Sequence, residues 1–435
     1  MQLTGTMKIN AEGHLEIGGM DTLDIVKEFG TPLWVLDEQG FRQNCRKFRE
    51  AFDRLGDSMV LYASKTLSTL SVYRMVEEEG LGLDVVSGGE LYTAMKAGFP
   101  MERVYFHGNN KSREEIEMAL EMGVSRIVVD NFFELQLLNS ICMEEKKQQD
   151  IMLRITPGVE AHTHEYIQTG QIDSKFGFTL SDGQAMEGVK AAIKSEGLNL
   201  IGLHCHIGSQ IFEMESFRHA TAIMMGFLGE VKEILAHEFD ELDLGGGFGI
   251  HYYHGDEPCD PSEWAKAVML TVKEKAEKLG IKIPRVIVEP GRAIAGPAGI
   301  TLYTIGSFKE VKGIRKYVAV DGGMTDNPRP ALYNARYLAI LANKADQSPV
   351  ETVSIAGKCC ESGDMLIWDA QLPRVESGDI LAVFATGAYT YSMASNYNRL
   401  LKPAMVLVNE GSADLIIKRE DYEDLIRNDR MVARL

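Results

Sequence analysis

Positive charge is what this chain has least of for its size. Its 435 residues carry 45 Lys+Arg against 63 Asp+Glu, a formal net charge of −18. No basic tail or stripe offsets that balance, which argues against a general nucleic-acid or anionic-membrane binder. Long apolar runs are also missing, and none approaches the roughly 18 residues that a membrane span needs. Met1-Gln2-Leu3-Thr4-Gly5-Thr6 lacks the basic-then-apolar order of a signal peptide, so the expected location is cytoplasmic. Cysteine is sparse. Cys45, Cys142, Cys205, Cys259, Cys359 and Cys360 form no C-x-x-C pair, which speaks against a disulfide scaffold, and adjacent Cys359 and Cys360 read as thiols. Internal repeats, low-complexity tracts and flexible linkers are absent. The remainder is ordinary globular composition, 45% hydrophobic and 25% charged, which excludes wholesale disorder.

From about residue 58 to 290, short Val/Ile/Leu-rich runs alternate with longer helical stretches. The runs at 58–63, 83–86, 103–107, 126–129, 151–155, 200–206, 241–245 and 285–289 read as strands, several apolar on both faces. Between them lie helical segments such as Ser112–Met122, Phe132–Lys147, Met214–His237 and Ser262–Leu279. Eight β-then-α units match an α/β fold of the (β/α)8 TIM-like barrel type better than an open doubly wound sheet. The open sheet stays as the alternative, because strand order is invisible in sequence. After about 300 the pattern turns all-β, with Thr301–Phe308, Lys316–Val320, Thr352–Ala356, Asp379–Ala385 and Ala404–Asn409 as short strands between Gly, Asp or Pro turns. A hairpin at Lys8–Ile17 and a strand at Pro32–Leu36 are expected to pair with that half. The predicted domains are therefore a barrel over 38–298 and a β-rich domain made of 1–37 together with 299–435.

In such barrels the chemistry sits on the loops after the strand C-termini. Those positions read Lys65, Asp84, His107, Asp130, Arg154, His204 with His206, Gly245-Gly246-Gly247, and Glu289 with Arg292. An enclosed Lys65 would have a lowered pKa and suit Schiff-base chemistry, or else would neutralise a buried carboxylate. The glycine run lets backbone N–H groups approach an oxyanion, or is simply a tight turn. His204-Cys205-His206 and His162-Thr163-His164 invite a metal reading. Here, however, the first strand ends in a lysine, and a structural pair or an imidazole stacked on an aromatic cofactor explains H-x-H better; no metal site is expected. In the β-rich half, Asn327-Pro328-Arg329-Pro330-Ala331-Leu332-Tyr333 offers an Arg fork for a carboxylate, and Cys359-Cys360-Glu361 sets a thiol beside an acid. Surface ion pairing and core packing are the alternatives there.

Together the segments Tyr62-Ala63-Ser64-Lys65, His204–Gln210, Gly245–Gly249, Glu289–Arg292, Asp321-Gly322-Gly323-Met324, Asn327–Tyr333, Cys360-Glu361-Ser362-Gly363 and Gly387-Ala388-Tyr389 carry a resemblance. From about Thr31-Pro32-Leu33 to Lys402-Pro403 the chain resembles the fold-type III pyridoxal-phosphate (PLP) decarboxylases. The resemblance implies a TIM-like barrel plus a C-terminal β-domain, the alanine racemase-like fold. It implies that Lys65 carries PLP, that His206 stacks on the ring, and that Asp84 and Arg154 position lysine and cofactor. Ser209, Gly247, the Gly291-Arg292 backbone and Tyr389 would hold the phosphate. Glu289 would keep the ring nitrogen protonated, which favours decarboxylation over the racemisation seen where an Arg stands there.

By the same resemblance Cys360, rather than Cys359, is the proton donor, reaching in from the partner of a head-to-tail homodimer. Arg292, Arg329, Tyr333 and Tyr389 would bind a distal carboxylate and Glu361 a distal amine. That pairing implies meso-2,6-diaminopimelate as substrate and L-lysine with CO2 as products, the last step of bacterial lysine biosynthesis. The rivals are decarboxylation of ornithine, arginine or carboxynorspermidine, and a non-catalytic binding protein. The loop 156–178 would be a cover that excludes water.

Overall fold

The computed structural model describes residues 3–159 and 174–434. Contacts divide the chain into two units, Met1–Gln43 with His251–Asp256 and Ala295–Leu435, and Asn44–Ile250 with Glu257–Ile294.

The second unit is the barrel. Its strands are β1 (Ser58–Ala63), β2 (Gly82–Val85), β3 (Val104–Phe106), β4 (Arg126–Val129), β5 (Gln149–Thr156), β6 (Leu198–His204), β7 (Glu241–Asp243) and β8 (Arg285–Val288). All neighbouring pairs are parallel, and β8 returns to β1 with Val286 opposite Ser58, which closes the sheet. The open-sheet alternative is thereby excluded. Local chemistry starts the helices where the sequence asks for them. Ser112 and Glu115 form a capping box ahead of Arg113–Met122, and Asp260, Pro261 and Glu263 do the same for Pro261–Leu279, which Gly280 ends in a left-handed turn. Inside the barrel Leu61, Tyr105, Val128, Met152, Ile201 and Ile287 form one apolar cluster. Each such side chain contributes about 1.5–3 kcal/mol by leaving water.

The loop after β3 is anchored by Lys111. Its buried Nζ donates to Gly108 O and Val128 O, each at 2.8 Å, and to Glu134 Oε1 at 2.7 Å. Lys111→Met would strand the buried Glu134 carboxylate. The barrel should lose about 3–5 kcal/mol, read as an earlier urea transition in a far-UV melt. An unmoved midpoint would show that the pair contributes nothing.

In the other unit, the long strand Gly299–Val311 pairs antiparallel with Leu33–Asp37, Arg315–Val320 and Ile380–Val383. Ala404–Asn409 runs parallel to Leu33–Asp37, and Glu351–Ala356 parallel to Arg315–Val320. The N-terminal strand therefore does belong to the β-rich half. The hairpin does not pair with it. Lys8–Ile9, Leu15–Ile17 and Met20–Asp21 make their own three-stranded sheet, from which the side chains of Leu15 and Ile17 join the common core with Leu33, Val35, Ile300, Leu302 and Val406 and Met20 packs against it. Two further strands, Met365–Leu372, with a buried run followed by exposed residues, and Ser412–Ile417, with no buried residue, lack strict alternation, which hides them from a period-two reading. No helix among the described residues is long and apolar enough to cross a membrane.

Candidate active site at the barrel rim

The C-terminal end of the barrel collects the polar groups that the sequence placed there. Lys65 follows β1 in a short turn (Ser64–Thr66), with Nζ 3.7 Å from Asp84 Oδ2 on β2 and its side chain 40% exposed. Asp84 itself is buried, and burial raises its carboxyl pKa against the pull of His107 and Lys65. Arg154 on β5 lies 3.9 Å from Asp130 Oδ1 and over the Phe176 ring at 4.3 Å.

Gly245, Gly246 and Gly247 follow β7 where side chains will not fit. A Cβ on Gly246 would stand 2.2 Å from Glu289 O. One on Gly247, whose φ of +109° already disfavours other residues, would stand 2.5 Å from Gly208 O. The glycines thus let three rim segments touch backbone to backbone. His206 closes this cradle, its Nδ1 accepting from Gly246 N at 3.2 Å. The accepting Nδ1 leaves the hydrogen on Nε2, and burial together with Lys65 holds the imidazole pKa well below its usual value. The ring is therefore neutral at pH 7. Beside it Arg292 donates to Ser209 Oγ at 2.8 Å, and Gly291 packs so tightly on Ala63 and Thr66 that a Cβ there would fall within 2.8 Å of both.

Glu289, just past β8, is 4% exposed. Its Oε1 lies 3.0 Å from His107 Nε2 and 3.5 Å from His204 Nε2. Burial alone would raise its pKa, but His107 foremost, with a smaller pull from His204, outweighs burial and holds the carboxyl well below the usual range. The neighbouring Asp243 moves the other way, driven up by burial and by Glu289. The two buried acids are thus pushed in opposite directions, Glu289 down and Asp243 up.

Of the two readings of His204-Cys205-His206, a structural pair or one stacking imidazole, the first fails because the two rings face different partners. His204 points to Glu289, and His206 to Gly246. Instead His107, His204 and Glu289 bring one ligand-capable atom each within 4.8 Å of one another. His107 and His204 stand among the rim positions read from the sequence but receive no role there, and Asp243, at the end of β7, is not singled out at all. Of the expected cover, residues 160–173, including His162-Thr163-His164, lie outside the described residues.

The remaining predicted groups belong to the β-rich unit. Arg329 is buried and surrounded by aromatic faces, 5.4 Å from the ring centres of Tyr333 and Tyr389 and 5.7 Å from that of Tyr252. It makes no ion pair among the described residues. Tyr389 holds a left-handed backbone, φ +59°, which is costly for an aromatic residue and typical of functional positions. Cys360 and Glu361 are exposed on the loop after Glu351–Ala356, and Cys360 N donates to Asn398 Oδ1 at 2.7 Å. Asp364 ties that loop to the next: Oδ2 accepts from Cys359 N and Oδ1 from Met324 N, both at 2.7 Å.

A lysine beside a buried acid, an imidazole closing a glycine cradle and a buried glutamate thus share one barrel rim. The family described as pyridoxal-dependent decarboxylase, pyridoxal binding domain, matches residues 39–296. Diaminopimelate decarboxylase of Bacillus subtilis (strain 168) is 54% identical over 99% of this chain and 98% of its own length, and that of Bacillus methanolicus is 55% identical over 97% and 98%. The crystal structure of diaminopimelate decarboxylase from M. jannaschii in complex with L-lysine superposes with a TM-score of 0.94 at 38% identity, covering 100% of both chains. With rim, fold and full-length identity in agreement, the chain belongs to the diaminopimelate decarboxylase family of pyridoxal-dependent decarboxylases.

Proposed function

We propose that the chain decarboxylates meso-2,6-diaminopimelate to L-lysine and CO2 with pyridoxal 5'-phosphate, as a cytoplasmic homodimer and as the last step of lysine biosynthesis. The observation that carries this reading is the convergence of Lys65, His206, the glycine cradle and an ionised Glu289 on one barrel rim. These residues fit the cofactor. The cradle is open only because no Cβ fills it, and Asp84 Oδ1 is a buried oxygen with no hydrogen-bond partner among the described residues.

Bound PLP supplies a ring that accepts the electron pair of the breaking bond to carboxylate. The protein does the rest. Lys65 would hold the cofactor through its amine. Neutral His206 offers a flat face that adds no charge. Ser209, Gly247, the Gly291-Arg292 backbone and Tyr389 hold the phosphate, and Arg292 fixes the Ser209 hydroxyl. Glu289 keeps a proton on the ring nitrogen, and Asp84 and Arg154 orient Lys65. Arg329, with Arg292, Tyr333 and Tyr389, binds the far carboxylate, and the partner subunit contributes Glu361 for the far ammonium and Cys360 for the proton that replaces CO2.

The test is product identification. The purified protein, loaded with PLP, should release CO2 and L-lysine from meso-diaminopimelate and leave ornithine untouched. Turnover of ornithine at a comparable kcat/KM would move the chain to the polyamine branch.

A further inference from the structure

We propose that His107 is a positioning residue for Glu289, holding the acid's Oε1 with its imidazole so that the carboxylate stays aimed at the cofactor's ring nitrogen. The inference rests on the reading of Glu289 given above.

Its basis is geometric. In the closed barrel β3 and β8 are separated by β1 and β2, so the 3.0 Å approach of His107 Nε2 to Glu289 Oε1 crosses the barrel interior, a close polar contact in which neither atom has an aligned hydrogen-bond partner among the described residues. From the adjacent strand β2, Asp84 Oδ1 lies 3.7 Å from the same Nε2, which places the imidazole between two carboxylates. His204 meets His107 edge to face, ring centres 4.9 Å apart at 72°, and reaches the same Glu289 oxygen at 3.5 Å. All four side chains are no more than 4% exposed. Barrel interiors are ordinarily packed with branched apolar residues. Here one level is polar, directly beneath the rim.

A glutamate needs such support. The Glu289 backbone is fixed, its N–H donating to Gly245 O at 2.9 Å, but its side chain has three further rotatable bonds. An acid that must face one ring atom works only if its rotamer is locked by groups behind it. A purely structural buried network would be served as well by apolar residues of equal volume. Among the charged and titratable groups around His107, Asp84, His204 and Glu289 face its imidazole ring from three different strand ends.

The test compares His107→Phe, which keeps the ring volume and removes the polar nitrogen facing Glu289, with His107→Gln, which keeps a polar nitrogen there. His107→Phe should lower kcat about 10–100-fold, the usual cost of losing a group that orients a reacting one, with KM for meso-diaminopimelate within about twofold. It should also weaken PLP binding by the apoprotein, followed by absorbance titration, and change the spectrum of the bound cofactor. His107→Gln should recover most of both. If His107→Phe does not fold, His107→Ala takes its place and the same results are read the same way. A folded His107→Phe with wild-type kcat and cofactor spectrum would overturn the assignment. So would a stoichiometric divalent ion in the wild-type protein whose chelation abolishes turnover, because the three ligand-capable atoms would then serve the ion. Wild-type protein that binds no PLP would defeat the proposed function itself, a failure visible before any variant is made.

Discussion

Lys65→Ala should reduce CO2 release from meso-diaminopimelate by about 1,000-fold or more, the loss expected when a group acting as part of a unit is removed. The more telling variant is Lys65→Arg. An arginine keeps the positive charge beside Asp84 and can restore the 3.7 Å pairing, but its guanidinium stays protonated and cannot attach a carbonyl cofactor. If Lys65 served only to neutralise the buried acid, Lys65→Arg would retain turnover and the visible absorbance of lysine-bound cofactor. The proposed role requires both variants to lose both. The exposure of the Lys65 side chain supports this, since a lysine devoted to Asp84 would be expected to bury its amine with it.

Cys360→Ala should cost about 100- to 10,000-fold in turnover, the range for a positioned proton donor, while Cys359→Ala should cost little. The two thiols are adjacent in sequence but not in circumstance. Cys359 is tied inward by its N–H to Asp364, and burial and that carboxylate push its thiol up to about 12. Cys360 is exposed on the same loop, and exposure is what a donor completed by a partner subunit would show in an isolated chain. A mixing experiment tests both halves of that reading. Lys65→Ala and Cys360→Ala proteins, each inactive alone, should after subunit exchange recover about a quarter of wild-type activity. Half of the dimers would be hybrids, and one site of each hybrid would be intact. No recovery after demonstrated exchange would place Cys360 in its own subunit's site or outside the chemistry.

Sequence periodicity was enough for the barrel because its strands are short, apolar on both faces and separated by capped helices. Each of the eight appears within about two residues of its expected position. The rim was legible for the same reason, since burial stops where a strand ends and polar residues there stand out. What faces what across the barrel was not legible. His107 and Glu289 are 182 positions apart in sequence, and only closure of β8 onto β1 sets them 3.0 Å apart. Tyr252 shows the same limit. It lies within the barrel's stretch of sequence, yet residues 251–256 group with the β-rich unit, where its ring faces Arg329. Met365–Leu372 escaped notice because its exposed Trp368 and Asp369 break the alternation that marks a strand.

The tyrosine setting of Arg329 has a consequence for the end of the reaction rather than its start. Aromatic faces steady a guanidinium without neutralising it, and no carboxylate among the described residues pairs with Arg329. The carboxylate proposed to meet it is the one that the reaction leaves intact. On that assignment L-lysine would depart still holding the contact that admitted its precursor, and decarboxylation itself would do nothing to loosen that end. Turnover should slow as lysine accumulates, by simple competition for one arginine and without any separate regulatory site. A diamine lacking both carboxylates would have no such hold.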